Sequence, residues 1–231
     1  VRLLRALLRL PHAVTGREAA RLARVSQTAA RRALDDLVAL GWLGLHVPEE
    51  HGGSGFGIEE LVVVVEQMGR ALAPGPFVPT VVASAVLAAV GGDGAKAHLP
   101  GLADGSRTGA VALGGDVTVD GGRASGPAGV VLGGGLADVL LVPAGDDVVV
   151  VERGEGVTVE VPPNLDPTRR SARVTLDGAP ATVLPGARRL LVDLARVLLA
   201  AEAVGMARAC TDAAAAYAKE RVQFGRPIGT F

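Results

Sequence analysis

Hydrophobic and polar positions change their spacing twice along this chain of 231 residues. Apolar residues recur at helical spacing from Ile58 to about Leu72 and again over Val81–Val90, which predicts two helices. Between Gly109 and about Gly186 the pattern becomes short, Val-rich runs separated by Gly, Asp and Pro, which predicts strands. From Ala187 to Glu220 helical spacing returns without proline, and it predicts one helix about 50 Å long.

These patterns predict an α+β multidomain fold with a helical N-terminal part, a small middle β-barrel or sandwich, and the first long helix of an incomplete C-terminal helical bundle. We place the segments at 1–41, 42–107, 108–186 and 187–231. Strands are predicted at Gly109–Leu113, Val117–Val119, Val139–Val142, Val148–Val151, Val157–Val161 and Ala172–Leu176.

The long helix is predicted to carry an apolar stripe that needs partner helices to cover it. The stripe consists of Leu190, Leu194, Val197, Leu198, Ala201, Val204, Ala209, Ala213 and Ala216. The printed sequence supplies only a short turn after this helix, so we expect the chain to form a homo- or hetero-oligomer.

The first 41 residues differ in charge from the rest of the chain. They contain eight arginines against three acidic residues, a net charge of +5, whereas the whole chain has a net charge of −1. Residues 15–37 resemble the helix-turn-helix of winged-helix regulators, which would place Gln27, Thr28 and Arg31 near DNA bases. The alternative is a small helical cap whose arginines are solvated, and both interpretations stay open.

Composition indicates the cellular compartment of the protein and the kinds of site that it can carry. One cysteine, Cys210, excludes an intramolecular disulfide and fits a reducing compartment, and we expect it to be a small buried residue. No run is long and apolar enough for a membrane span, and arginines interrupt the apolar positions of Val1–Leu10, so we expect a cytoplasmic protein without a signal peptide. We predict no metal site, and we expect the lone loop histidine His51 to be exposed rather than catalytic.

The N-terminal half carries a family resemblance. The segment Gly41–Gly57 (GWLGLHVPEEHGGSGFG), followed by Glu66–Phe77 (EQMGRALAPGPF) and Leu99–Ser106 (LPGLADGS), resembles the N-terminal helical domain of acyl-CoA dehydrogenases. In that family the Pro-Glu-Glu-x-Gly-Gly loop is chiefly structural, so the resemblance implies no catalysis there.

The most specific resemblance lies at the end of the chain. Ala201–Arg208 (AEAVGMAR) and Tyr217–Ile228 (YAKERVQFGRPI) match the first helix of the family's C-terminal bundle. In the family, the Arg of Arg-x-Gln-Phe-Gly reaches the FAD pyrophosphate bound by the neighbouring subunit. The resemblance therefore implies this role for Arg221, with Gln223 and Phe224 beside it, and an arginine fork suits a diphosphate.

The strand-rich part is similar to the family's middle β-domain, which cups the flavin ring, but it departs from the family at two places. The strand ending at Leu113 runs directly into Gly114 and Gly115, where the family usually has hydroxyl side chains that contact the flavin. The family's Trp-Ile-Ser/Thr strand reads Gly129–Leu132 (GVVL) here. Backbone amides at Leu113 and Gly115 are the remaining candidates for FAD binding.

No catalytic base can be assigned from the resemblance. Most family members place the glutamate base beyond the last residue of this sequence, and some place it on the present helix at a position that is Ala195 here. Glu202 falls in an Ala-Glu-x-x-Gly run that is common in the family, and we expect it to be structural.

The resemblance covers roughly residues 38–231 and implies an FAD flavoprotein that dehydrogenates an acyl-CoA thioester and transfers hydride to the flavin, with activity that requires a partner chain or the missing bundle. Electron-transfer flavoprotein is the acceptor that the family implies, and no membrane partner is expected. Two other interpretations remain: a DNA-binding regulator that senses acyl-CoA, motivated by the basic first 41 residues, and the product of a truncated or fused gene.

Overall fold

The computed structural model describes residues 36, 37, 39–163, 166 and 168–231. The predictions for residues 1–35, including the helix-turn-helix resemblance, lie outside the described residues. From residue 40 to residue 107, the helical layer contains a 3-10 turn, Glu49–His51, and four helices. These helices are α1 (Ile58–Arg70), α2 (Phe77–Val90), α3 (Asp93–Lys96) and α4 (Leu99–Ala103).

The glycine loop before α1 is structural, as the family resemblance implied. A Cβ on Gly53 would lie 1.9 Å from the carbonyl oxygen of Val47, so only glycine allows the loop to fold back on the preceding turn. The loop is fixed to α2 by His46, whose Nε2 lies 2.9 Å from the hydroxyl of Ser84. His46 is 8% exposed, and burial lowers its pKa to about 4.

The middle of the chain forms a small β-barrel. Its strands are β1 (Gly109–Ala112), β2 (Thr118–Asp120), β3 (Arg123–Leu132), β4 (Val139–Ala144), β5 (Asp147–Glu152), β6 (Val157–Glu160) and β7 (Ala172–Leu184). Their order is β2-β3-β1-β4-β5-β7-β6, and an additional β3–β7 pairing closes the sheet on itself. All pairs are antiparallel except β1–β4.

Two strands differ from the prediction. The Val-rich runs predict no strand at β3, of which only Gly129–Leu132 was compared with a strand of the family; the structure accommodates Gly126, Pro127 and Gly129 at register shifts between Ala124 and Gly126 and between Pro127 and Gly129. β7 continues to Leu184, well beyond the predicted end at Leu176, because its second half pairs with β5. The missed β3 is the strand that closes the barrel, so the sequence pattern alone left barrel and sandwich unresolved.

After the barrel, α5 (Arg188–Glu220) forms the predicted long helix. Its buried residues are Leu191, Ala195, Leu198, Ala201, Glu202 and Gly205. The predicted stripe is therefore partly wrong in its orientation: Leu198 and Ala201 face the core, but Val197 and Val204 are 47% and 49% exposed. The helix is apolar on more than one face, so periodicity alone did not show which face packs inward.

Helices α1 and α5 touch backbone to backbone where they cross. A Cβ on Gly69 would lie 2.1 Å from the carbonyl oxygen of Glu202, and one on Gly205 would lie 1.9 Å from that of Glu66. The two glycines thus allow a closer approach than side chains would permit. Beyond the crossing, Arg208 reaches Glu66 at 2.5 Å and Arg70 reaches Asp212 at 2.9 Å.

Candidate functional site

The Arg-x-Gln-Phe-Gly motif folds into a tight hairpin directly after α5. Strands β8 (Val222–Gln223) and β9 (Arg226–Pro227) pair with Gln223 opposite Arg226, and Phe224 and Gly225 form the turn. Both turn residues have positive φ, +50° and +76°, as a type I′ hairpin requires. We call residues 221–231 the C-terminal hairpin.

The C-terminal hairpin presents its motif side chains to solvent. Phe224 is 94% exposed although it holds a left-handed backbone conformation that phenylalanine disfavours. Its ring and that of Phe231 form a T-shaped pair with centroids 6.3 Å apart, and Arg226 lies over the Phe231 ring at 4.0 Å. Phe224 is thus an exposed aromatic side chain on a backbone conformation that costs free energy.

Arg221 ends α5 with its backbone tied down and its side chain available. Its N–H donates to the carbonyl of Tyr217 at 2.8 Å, and its own carbonyl accepts from the N–H of Ile228 at 2.8 Å. Within the described part of the chain, no ion pair engages its guanidinium. The amide of Gln223 donates to the adjacent carbonyl of Val222 at 2.7 Å. An exposed, unpaired arginine on a fixed backbone suits the oxygens of a diphosphate.

The predicted barrel contacts lie at one edge of β1 and β3. The antiparallel register pairs Val111 with Leu132 and Ala112 with Val131, so Leu113 falls beside Val130. Val131 and Ala112 point into the barrel and are fully buried, whereas Val130 points outward and is 62% exposed. We call the outward positions Leu113, Gly115, Val130 and Leu132 the barrel face.

The barrel face carries no side-chain hydroxyl and no aromatic ring. Leu113 and Leu132 instead pack against the helical core. Gly115 has φ +141° and a Cβ there would lie 3.0 Å from the carbonyl oxygen of Pro127, so the loop allows only glycine and backbone contacts. The barrel face therefore lacks the side-chain donors and the ring that the family resemblance calls for.

The structure brings Arg221, Gln223 and Phe224 together, and separately Leu113 and Gly115, but it does not join the two groups. The described hydrogen bonds of the C-terminal hairpin connect it to itself and to the last turns of α5. The assignment of all five residues to a cofactor site therefore stays a prediction.

Neither helix position considered for the catalytic base is available for that role in this chain. Ala195 has no ionisable group and is 0% exposed within the helical core. Glu202 is 6% exposed and pairs with Arg169 at 2.8 Å. Burial raises the pKa of Glu202, and the nearby Arg169 guanidinium opposes that rise. The pairing with Arg169 supports a structural role for Glu202.

Residues 166 and 168–170 contain a turn and two arginines that differ from solvated surface charges. Thr168 donates its N–H and its hydroxyl to the Asp166 carboxylate at 2.9 and 2.6 Å, which forms the turn. However, Arg169 forms an ion pair with Glu202, and the Nε of Arg170 is buried. Sequence reasoning missed the Arg169–Glu202 and His46–Ser84 pairs because each joins residues far apart in the chain.

Two further predictions concern single residues. Cys210 is exposed on the outer half of α5, so the expectation that it is buried is wrong for this chain. His51 is partly exposed on the 3-10 turn, 3.8 Å from the carboxylate of Glu50. In the described part of the chain, no three His, Cys, Asp or Glu residues are grouped to bind a metal, and no helix has the length and apolarity to cross a membrane.

Two family models match this chain at its two ends. The acyl-CoA dehydrogenase N-terminal domain matches residues 8–106, and the acyl-CoA dehydrogenase C-terminal domain matches residues 188–231. The first match includes the whole of residues 15–37, which resemble a helix-turn-helix. The comparisons give no support to the DNA-binding interpretation.

Curated relatives agree with these matches. Acyl-CoA dehydrogenase FadE34 of Mycobacterium tuberculosis is 42% identical over 198 residues, which are 84% of this chain and 27% of the relative. Acyl-CoA dehydrogenase IpdE2 of Mycolicibacterium smegmatis is 35% identical over 192 residues, 83% of this chain and 55% of the relative. The chain therefore spans about a quarter to about half the length of these relatives.

Solved structures match over nearly the whole chain. The Tcur3481-Tcur3483 steroid ACAD G363A variant is 34% identical with a TM-score of 0.86, and the match covers 99% of this chain and 68% of that one. The ChsE4-ChsE5 complex of Mycobacterium tuberculosis is 27% identical with a TM-score of 0.84, and the match covers 100% of this chain and 67% of that one. The matches thus extend over the helical layer, the small barrel and the long helix with its motif. This chain belongs to the acyl-CoA dehydrogenase family.

Proposed function

We propose that the protein containing this chain is an FAD-dependent acyl-CoA dehydrogenase, and that the C-terminal hairpin contributes to binding the FAD diphosphate. The flavin, when bound, supplies the hydride acceptor for α,β-dehydrogenation of an acyl-CoA thioester. The observation that carries this proposal is the C-terminal hairpin, where an unpaired Arg221 stands beside an exposed Phe224 in a strained turn.

Electrostatics supports the role of Arg221. A guanidinium donates two parallel hydrogen bonds to phosphate oxygens, and such charge-assisted bonds are about twice as strong as neutral ones. The backbone of Arg221 is already fixed by hydrogen bonds, so binding does not have to order it, which favours affinity.

The remaining parts of the machinery come from outside the described residues. Neither of the two α5 positions considered supplies the base for the proton α to the thioester, because Ala195 has no carboxylate and Glu202 is paired to Arg169. We therefore place the base on further sequence of the protein or on a partner chain, in a homo- or hetero-oligomer. Electron-transfer flavoprotein as acceptor and a cytoplasmic location belong to the same proposal.

The test is Arg221→Ala in the full-length protein, tagged and purified from the organism that carries it, in the assembly that it forms there. Removing a charge-assisted pair costs about 1.5–3 kcal/mol, so FAD affinity should fall about 10- to 100-fold. The readouts are FAD per tagged chain and acyl-CoA-dependent dye reduction, and added FAD should restore part of the activity.

Two variants make this result specific. Arg189→Ala removes an arginine that is 93% exposed at the opposite end of α5, and it should leave FAD content unchanged. Arg221→Lys keeps the charge without the planar fork and should lie between wild type and alanine. Unchanged FAD content in Arg221→Ala would contradict the proposed role.

A further inference from the structure

A histidine, an arginine and a glutamate connect the helical layer to the barrel. His98 is the residue before α4, Arg107 lies in the linker between α4 and β1, and Glu152 is the last residue of β5. Nη1 of Arg107 lies 2.9 Å from Nδ1 of His98, and Nη2 of Arg107 lies 3.0 Å from a carboxylate oxygen of Glu152. We call these three residues the joint triad. None of them belongs to the residues proposed to bind FAD.

The contact with Arg107 fixes the protonation state of the His98 imidazole. A guanidinium keeps its charge and has only donors, so Nδ1 of His98 must be the acceptor and carries no proton. The proton of the neutral ring is therefore on Nε2. Burial lowers the pKa of His98, as does the charge of Arg107, and the carboxylate of Glu152 opposes this shift.

A proton on Nδ1 of His98 is incompatible with this arrangement. It turns the acceptor into a donor, and two positively charged groups then meet at 2.9 Å. Nδ1 also lies 3.7 Å from Oε1 of Glu152, so a small movement lets the imidazolium bind that carboxylate. Arg107 then loses one acceptor and has to share the other. The joint triad thus has two arrangements, and one proton decides between them.

A groove on the outer side of β5 and β7 gives solvent access to His98. The charged residues that line it beside His98 are Glu152, Arg153 and Glu155, whereas β7 contributes uncharged residues. Arg153 donates to a backbone carbonyl of the loop after β3 at 3.5 Å, and Glu155 pairs with Arg123 at 2.9 Å. Among the described residues of this groove, Glu152 is therefore the carboxylate left for a protonated His98.

The linker that carries Arg107 is held at its backbone on both sides. The N–H of Arg107 donates to the carbonyl of Gly101 in α4 at 2.9 Å. The N–H of Thr108 donates to the carboxylate of Asp138, just before β4, at 2.8 Å. Between these two anchors, the Arg107 side chain contacts the helical layer and the barrel at once. Loss of its contacts therefore loosens the linker while both layers stay folded.

We propose that the joint triad is a proton-controlled link between the helical layer and the barrel. With His98 neutral, Arg107 bridges it to Glu152 and the linker is closed. With His98 protonated from solvent, the imidazolium pairs with Glu152, Arg107 turns towards water, and the linker opens locally. The proton returns to solvent as pH rises, so the change is reversible. This inference does not depend on the proposed function, because it involves neither flavin nor substrate.

Hydrogen exchange of the full-length protein, read by mass spectrometry on a peptide covering residues 100–109, tests this link. Wild type and His98→Gln are compared at the same pH, from pH 7 to about pH 4.5, so that intrinsic exchange rates cancel. Glutamine keeps an acceptor for Arg107 and does not take up a proton. The two proteins should exchange equally at pH 7. At the acid end wild type should exchange about 2- to 5-fold faster, as expected for loss of an exposed ion pair.

Variants of Arg107 separate proton control from the simple loss of a contact. Arg107→Gln introduces an amide that donates to a neutral His98 and accepts from a protonated one, so the acid step in exchange should disappear. Arg107→Lys keeps a cation with only donors and should retain the step. Arg123→Gln is the matched control: it breaks the pair with Glu155 on the same groove and should also retain the step.

The outcomes decide the proposal. An acid step that is present in wild type, Arg107→Lys and Arg123→Gln but absent from the two glutamine variants of the joint triad supports it. Equal exchange of wild type and His98→Gln at every pH overturns it, and so does a step that persists in Arg107→Gln. Faster exchange of the β4 and β5 peptides to the same extent would mean global unfolding instead of a local opening, and would also overturn it. Circular dichroism at each pH shows that the compared proteins are folded.

Discussion

The two halves of α5 are held by different kinds of contact. From Arg188 to Gly205 the helix packs into the core, and its buried face includes Leu191, Leu198 and the ion-paired Glu202. From Met206 to Glu220 no residue is buried, and Arg208 and Asp212 bind α1 through exposed ion pairs. The inner half fixes the helix to the rest of the chain, and the outer half carries the hairpin outward.

This difference shows where substitutions matter in this chain. Along the inner half, backbone atoms of two helices meet and little space remains, so volume decides stability. Along the outer half, solvent surrounds the side chains, so exposed ion pairs contribute little to stability. Substitutions in the inner half should therefore lower the free energy of unfolding by several kcal/mol. Substitutions in the outer half should lower it by less than about 1 kcal/mol.

The largest expected effect is that of Gly205→Val. Its Cβ would lie 1.9 Å from the Glu66 carbonyl oxygen, which is backbone and cannot rotate away, so the two helices must separate. We expect a loss of more than about 3 kcal/mol in the free energy of unfolding, measured by urea denaturation.

A glycine in open space provides the control for Gly205. Gly94 on α3 has no atom within 4 Å of an added Cβ, and its φ is not positive. Gly94→Ala should leave stability unchanged or raise it by up to about 1 kcal/mol. Equal losses at both glycines would contradict the close crossing of α1 and α5.

Much of this fold was predictable from periodicity and turn residues, because those signals are local. The Ala187–Glu220 pattern predicted α5 to within one residue, and the Val-rich runs predicted most strands. The strand β3 was missed because its Gly126, Pro127 and Gly129 usually end strands, and only pairing with β7 shows why they are tolerated.

In the candidate site, too, the sequence predicts what depends on local signals and misses what depends on contacts between distant residues. The sequence predicts that Arg221, Gln223 and Phe224 lie together, because they are neighbours in one motif. It does not reveal that Val130 and Leu132 share an outward face with Leu113, since that depends on the register between β1 and β3. Nor does it reveal the Arg169–Glu202 pair, which joins a loop to a distant helix.

The next largest effect is a loss of stability in acid that depends on His46. The folded pKa of His46 is lowered to about 4 from 6.5, so the unfolded chain binds the proton first as pH falls. The contribution of His46 to the free energy of unfolding is fully present above pH 6.5 and is lost progressively down to about pH 4. The loss is about 3 kcal/mol, since one pKa unit equals about 1.4 kcal/mol.

His46→Gln isolates this contribution because glutamine keeps a donor for Ser84 but cannot take up the proton. Urea unfolding at several pH values between 7 and 4 should show a flatter profile for this variant than for wild type. The pKa of His98 is also lowered, and that of Glu202 is raised, so the comparison uses the difference between the two profiles.

The inner half of α5 also contains a buried charge pair, and breaking it should have an intermediate effect. Glu202→Ala removes the partner of Arg169 and leaves that guanidinium, 24% exposed, beside the core. We expect a loss of about 2 kcal/mol, below the 3–5 kcal/mol of fully buried pairs, because Arg169 keeps some solvent and contacts Asp166. Glu202→Gln retains an acceptor and should lose less.

The pH dependence of the Glu202 variants gives a second measurement. The folded pKa of Glu202 is raised, so its contribution to stability is present below the unfolded pKa and is lost as pH rises through the folded pKa. Glu202→Gln should remove this loss. Identical pH profiles for wild type and Glu202→Gln would show that the carboxylate is not buried as described.

The smallest expected effect lies in the outer half, at the exposed pair of Arg70 and Asp212. The two side chains are 50% and 63% exposed, so water and salt screen their attraction. Asp212→Asn should lower stability by less than about 1 kcal/mol, and 0.5 M salt should remove most of that difference. Urea unfolding of wild type and variant at low and high salt provides the measurement. A salt-independent loss as large as that of Glu202→Ala would mean that the outer half is held as firmly as the inner half, and the contrast between them would not stand.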